Sequence, residues 1–253
     1  MLDRIQLKRE AKLITKNARV SAYLLTLLYL VIINVLDLIS TYVGGDIVVY
    51  LREFLPQVPV PEFLLRAAAF PPLLVLFVTV VISLLTSVLY GGWTLYHLAV
   101  RRGEGAGYGT LFDGFSFAGK LILLDIIAYI FIFLWSLLFV IPGIIAAYRY
   151  RFAVYNLCEN PEMGVMEALN MSKVQTSGYK ADLFILDLTF LGWNILCGVT
   201  LGLLSIWVAP YVFQTELGYF QQIKRMKGVG WFPPEGPSGD GEFHSTDPFS
   251  GEF

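Results

Sequence analysis

The sequence predicts an all-α fold: a polytopic membrane helical bundle of about six transmembrane helices in three hairpins, plus short cytoplasmic amphipathic helices. Three observations predict it. The chain is 56% hydrophobic and only 15% charged, with a mean hydropathy of +0.64, whereas a soluble domain carries about 25% charged residues. The apolar residues gather into runs long enough to cross a bilayer. The Lys and Arg residues fall mostly on one side of those runs. The net charge is −2, so no general attraction to nucleic acid is expected.

Residues 1–20 read as a basic interfacial helix. Leu7, Ala11, Ile14 and Ala18 recur at helical spacing, and Lys8, Arg9, Lys12, Lys16 and Arg19 fill the other faces. That pattern suits a helix lying on anionic lipid at a cytoplasmic leaflet. Residues 21–222 form the six-helix transmembrane domain. Its first span is Ser21 to Ser40, too long for the apolar core of a cleavable signal peptide. A loop over 41–70 follows, containing Gly44, Gly45, Pro56, Pro59 and Pro61 and one short apolar stretch at the interface. The second span, Pro72 to Val100, carries Thr79, Ser83, Ser87 and Gly91 at four-residue spacing, a stripe that lets helices pack closely.

A short amphipathic segment, Thr110 to Gly119, leads into the third span, Lys120 to Ile141. Pro142 and Gly143 make the outer hairpin turn to the fourth, Ile144 to Cys158. A surface helix then runs from Pro161 to Thr176, with Asn160 as N-cap and Gly178 as stop. The fifth span is Ala181 to Val199, and a turn at 200–202 starts the sixth, Leu203 to Gln221. Residues 223–253 form a basic juxtamembrane stub and an acidic, Gly/Pro/Ser-rich tail expected to be disordered, in which Gly241-Glu-Phe243 recurs as Gly251-Glu-Phe253.

Charge sets the orientation. The N-terminal flank, the 101–120 segment, the 159–180 segment and Lys224, Arg225 and Lys227 hold most of the basic residues. The long loop holds Arg52 and Arg66. Both termini are therefore expected in the cytoplasm, and Trp135, Trp193 and Trp207 near the outer interface. Cys158 and Cys197 fall in apolar segments near opposite faces and are not expected to pair.

The spans also carry charges. Counted from the cytoplasmic boundary at 1.5 Å per residue, Asp125, Asp187, Arg151 and Glu216 all fall roughly 8–12 Å inside it, with Arg149 slightly deeper and His97 slightly shallower. An isolated charge at mid-membrane costs about 2.5–3.5 kcal/mol. Mutual pairing of Arg149 and Arg151 with Asp125, Asp187 and Glu216 across spans three to six is the least costly arrangement. Two roles are open to this layer: it fixes helix register, or it faces a cytoplasm-open cavity that binds an anion or relays a proton.

Catalytic chemistry has no signature in the chain. His97 and His244 are the two histidines, and no zinc-binding, phosphate-cradling, dinucleotide-binding or nucleophile-elbow motif occurs. The expectation is a non-enzymatic protein with no metal and no cofactor.

The run Trp135-Ser-Leu-Leu-Phe-Val-Ile-Pro-Gly-Ile-Ile-Ala-Ala-Tyr-Arg-Tyr150 resembles the family called "domain of unknown function 975", prokaryotic multi-pass membrane proteins. The likeness continues through Glu159-Asn-Pro161, Glu167-Ala168, Ser172-Lys173, Gly178-Tyr-Lys180, Leu183-Phe184, Phe190-Leu-Gly-Trp193 and Pro210-Tyr211, and Leu7-Lys-x-x-Ala11-Lys12 fits it at the N-terminus. A fainter likeness is to membrane domains attached to some glycerophosphodiester phosphodiesterases, although the catalytic residues of those enzymes are not present. The resemblance implies the plasma membrane of a prokaryote and supplies no site residue. The leading functional expectation is organisation or regulation of a membrane or cytoplasmic protein partner. The alternative is a small transporter or channel for a polar or anionic solute that uses the Arg/carboxylate layer.

Overall fold

The computed structural model describes residues 4–18, 20–54, 57, 59–62, 65 and 70–230. The expected disordered tail, its repeated Gly-Glu-Phe, Arg19 and Arg66 lie outside them. Among the described residues every regular element is helical. The helices are α1 (Arg4–Asn17), α2 (Ala22–Gly44), α3 (Asp46–Phe54), α4 (Pro72–Arg102), α5 (Ala118–Leu138), α6 (Val140–Tyr150), α7 (Ala153–Glu159), α8 (Val165–Thr176), α9 (Lys180–Val199) and α10 (Ser205–Lys227), with a 3-10 segment, Tyr108–Phe117, ahead of α5. Four helical stretches are long and apolar enough to cross a membrane: α2, α4, α5 with the 3-10 segment, and α9. They suggest a membrane-embedded protein.

Local chemistry sets the ends of these helices. Pro72 occupies the first turn of α4, where its missing N–H costs nothing. Arg101 and Arg102 sit in the last turn, and Gly103 stops the helix at φ 77° with its N–H on the last carbonyls. Gly228 ends α10 in the same way, at φ 63°.

The core lies at one end of the bundle. In α4 the buried residues run from Val88 to Leu98, while Leu73, Leu76 and Phe77 are exposed. Helix α5 buries Leu121 and Leu124 and exposes Phe133, Leu137 and Leu138. Helix α9 buries Leu183, Leu186 and Phe190 and exposes Trp193, Ile195 and Val199. Exposed apolar surface on this scale is what lipid contact requires, because lipid gives helices no hydrophobic reason to associate. At the packed end an aromatic chain joins four helices: Tyr29 of α2 stacks on Trp93 of α4 at 5.1 Å, Trp93 meets Phe213 of α10 at 4.2 Å, and Phe213 meets Tyr155 of α7 at 5.6 Å. Each such pair adds about 0.5–1.5 kcal/mol beyond its buried area.

The small-residue stripe on α4 packs over part of its length. Gly91 receives Leu121 of α5, and Ser87, one turn earlier, hydrogen-bonds Asp125, one turn later on α5. This antiparallel register runs on to Ser83 and Tyr129, which line one cavity. Thr79 is exposed and packs against nothing in the core. The closest approach lies beside the stripe: a Cβ on Gly92 would collide with the Leu111 carbonyl, and one on Gly114 with the Val88 carbonyl. The 3-10 segment thus lies backbone-on-backbone against α4, which only glycine permits.

Two expectations need correction. The outer turn falls at Phe139, whose extended backbone (φ −164°, ψ 157°) separates α5 from α6. Pro142 and Gly143 lie inside the first turns of α6. Pro142 is tolerated there, and Gly143 lets Ser136 of α5 close in. The helix after Pro161 begins later, at Val165, with Gly164 as N-cap and its N–H on the Glu167 carboxylate. Asn160 instead receives the Glu162 N–H. Nor is that helix a surface element, since Val165, Ala168, Leu169, Ser172, Gln175 and Thr176 are buried. Helix α1 also packs against the bundle. Its Leu7 and Ala11 are buried, Leu7 reaches Gly218 of α10, and Arg4 binds Asp182 and the Tyr219 hydroxyl. Ile5, Arg9, Lys12, Leu13 and Lys16 remain exposed.

Gly92→Ala should lower thermal stability in detergent by about 1–3 kcal/mol, the usual cost of overpacking. Gly119→Ala, where a Cβ meets nothing within 4 Å, should leave the melting temperature unchanged.

Candidate functional site: the Arg151 ion cluster

The fourth apolar segment breaks at Arg151 and Phe152, between α6 and α7. A break in a helix frees backbone groups that must find partners. Ser172 of α8 supplies both: its hydroxyl donates to the Arg149 carbonyl at 2.8 Å and accepts the Phe152 N–H at 3.1 Å. Thr176, one turn on, donates to the same carbonyl at 3.3 Å.

The break aims Arg151 at α9 and α10. Its guanidinium binds Asp187 in a fork, Nη1 to Oδ2 at 2.6 Å and Nη2 to Oδ1 at 2.9 Å, and Nε donates to Glu216 Oε1 at 2.5 Å. Tyr148 donates its hydroxyl to Asp187 at 2.6 Å, and Tyr155 donates to Glu216 at 2.7 Å. Bidentate, charge-assisted bonds of this kind are the strong ones. One cation against two carboxylates leaves a formal excess of one negative charge, spread over oxygens that also accept tyrosine protons.

The expected layer is therefore only partly assembled. Arg151, Asp187 and Glu216 come together. Arg149 does not join them: positions two apart on a helix face different ways, and its guanidinium lies 6.0 Å from the Trp135 ring, with Nε buried and without a hydrogen-bond partner among the described residues. Asp125 makes no ion pair, because the α4–α5 register turns it toward Ser87. His97 is fully buried and pairs with an amide: Gln214 Nε2 lies 3.1 Å from Nδ1 and donates to the His97 carbonyl at 2.9 Å.

A second buried pair escaped the sequence reading. Lys224 Nζ contacts Glu159 at 2.6 Å, with side chains only 6% and 2% exposed, and Arg102 approaches the same carboxylate at 3.5 Å. Burial lowers the Lys224 ammonium below its ordinary pKa, and the neighbouring Glu159 opposes that shift. Asn156 and Gln175 beside them exchange amide bonds at 2.8 and 2.9 Å. Lys227 donates to the Val174 and Ser177 carbonyls at 2.6 and 2.5 Å, capping α8. In sequence Glu159 and Lys224 mark span boundaries, and nothing in their spacing, 65 residues apart, says that they meet.

Residues 136–227 match the family model described as "Protein of unknown function (DUF975)". That part of the chain is similar to the family. No curated protein and no solved structure matches it. The matched residues include the whole Arg151 cluster, the α8 hydroxyls that cap its break, and the Glu159–Lys224 pair. His97 and Asp125 lie before it. No group of three or more His, Cys, Asp or Glu residues among the described ones is placed to hold a metal.

Arg151→Met should cost more stability than any change at Asp125, up to about 3–5 kcal/mol, because it strands the buried Glu216 and the partly exposed Asp187. Asp125→Asn should cost less than about 1 kcal/mol, since the amide oxygen still accepts the Ser87 hydroxyl. Thermal melts of the two variants in detergent check this; equal losses would contradict the pairing.

Proposed function

We propose that the chain is a six-crossing protein of a prokaryotic plasma membrane, with both termini cytoplasmic, that organises or regulates a membrane partner and has no catalytic role. The observation that carries this reading is the engagement of Arg151 by the protein's own carboxylates. All three of its nitrogens are engaged by Asp187 and Glu216, so the cluster supports helix register better than it supports anion binding. Neutralisation also favours six crossings. Helices α6 and α7 together cover residues 140–159, about 30 Å of helix, and α10 is about 34 Å long. Each carries charge that its neighbours pair within the bundle, which removes most of the cost of crossing.

The exposed groups at the packed end suit a docking role. The outward face of α1 mixes Arg9, Lys12 and Lys16 with Ile5 and Leu13, and the 3-10 segment presents Tyr108, Phe112 and Phe115. Such a surface fits anionic lipid headgroups and a protein lying at the same interface. The second reading, a small transporter or channel for a polar or anionic solute, is favoured by Arg149. No carboxylate pairs with it among the described residues, and it stands close enough to Lys180 for mutual repulsion.

Photoreactive residues placed at positions 13 and 112 in the native host should yield one discrete crosslinked species, and a residue at 137 should yield none. Reporter fusions at both termini should read cytoplasmic. If no discrete species forms, and proteoliposomes show solute flux that disappears with Arg149→Gln, the transporter reading takes its place.

A further inference from the structure

Of the three carboxylates expected in the intramembrane layer, Asp125 alone meets no cation among the described residues. It faces a cavity of about 440 Å³ between α2, α4 and α5. The α4–α5 register builds this cavity: Ser87 opposes Asp125, and Ser83 opposes Tyr129, one turn further on. Tyr29 comes from α2, Tyr90 from α4 and the exposed Tyr129 from α5, so three aromatic residues from three helices line the cavity that Asp125 faces. Tyr29 is held in place by its stack on Trp93. Of the residues that line it, Ile126 and Tyr129 are exposed on the apolar surface of the bundle.

We propose that this cavity binds a lipophilic organic monocation that enters from the bilayer. Charge selects the sign: a lone carboxylate in an apolar span attracts a cation and repels an anion, including the phosphate of a phospholipid headgroup. Size selects the class, because sites for organic molecules occupy about 300–1,000 Å³, whereas a bare metal ion would find one carboxylate and leave most of the space empty. The rings select further, since tyrosine faces attract organic cations, most strongly where water is excluded. Ser87 already donates a hydrogen bond to Asp125, which orients the carboxylate while leaving it an acceptor toward the cavity. The site uses none of the Arg151 cluster and does not depend on the partner-organising role.

The test is equilibrium dialysis of tetraphenylphosphonium against the full-length protein in dodecyl maltoside, with triphenylphosphine oxide as the uncharged competitor. The expected result is saturable binding at one site per chain that the oxide does not displace. Asp125→Asn should weaken it about tenfold or more, equivalent to 1.4 kcal/mol, and Tyr129→Leu about two- to fivefold. Asp125→Glu should retain binding. If Asp125→Asn proves unstable in the thermal melt, Ser83→Phe fills the cavity from an exposed position and should abolish binding. Unsaturable binding, equal displacement by the oxide, or unchanged affinity in either Asp125→Asn or Ser83→Phe overturns the proposal.

Discussion

Arg151 meets Asp187 and Glu216 inside a region whose surface is otherwise apolar, and that contact constrains everything around it. A guanidinium in such surroundings must be neutralised, so α9 and α10 have to present carboxylates at one level. Their antiparallel pairing does so, with Phe190 against Tyr211 as a second point of contact. The same requirement explains the break between α6 and α7. Continuous helix would leave the Arg149 carbonyl and the Phe152 N–H bonded within the helix. Interrupting it exposes both, and the break persists because Ser172 satisfies them. Helix α8 is thereby drawn into the bundle, and Lys227 then caps its far end.

Specificity elsewhere comes from contacts that lipid cannot imitate. Between two apolar helices in a bilayer, lipid competes on nearly equal terms with a helix neighbour. Backbone approach at Gly92 and Gly114, hydroxyl bonds such as Ser87 to Asp125, and the aromatic chain from Tyr29 to Tyr155 do not have that competition. They concentrate at one end of the bundle, where the buried ion pairs also lie. The opposite end carries exposed Leu, Ile, Val and Phe side chains. Stability and lipid exposure are thus divided along the helix axes rather than between an inside and an outside.

Residues of one charge type meet different fates within a few positions. Arg149 and Arg151 are two residues apart, yet one lies over Trp135 while the other ties three helical segments together. Asp125 and Asp187 both lie in apolar helices, yet one accepts a serine hydroxyl at the wall of a cavity and the other accepts a guanidinium fork. Glu159, which reads in sequence as the edge of a span, is among the most deeply buried carboxylates.

Composition and the length of the apolar runs determined that the fold is helical and suits a membrane, because a backbone in lipid must satisfy its own hydrogen bonds. Local chemistry placed several boundaries: Pro72 and Gly103 bound α4, and Gly178 and Gly202 hold positive φ in the turns flanking α9. Depth counting along each helix put Arg151 level with Asp187 and Glu216, since helical rise is constant. Azimuth was not legible, because which face a side chain occupies matters only once a neighbour stands there. Tertiary structure alone therefore decided that Arg149 and Asp125 stay out of the cluster, that Glu159 finds Lys224, and that the helix after Pro161 is buried. Those outcomes depend on how helices rotate about their axes, and a single apolar run carries no record of that rotation.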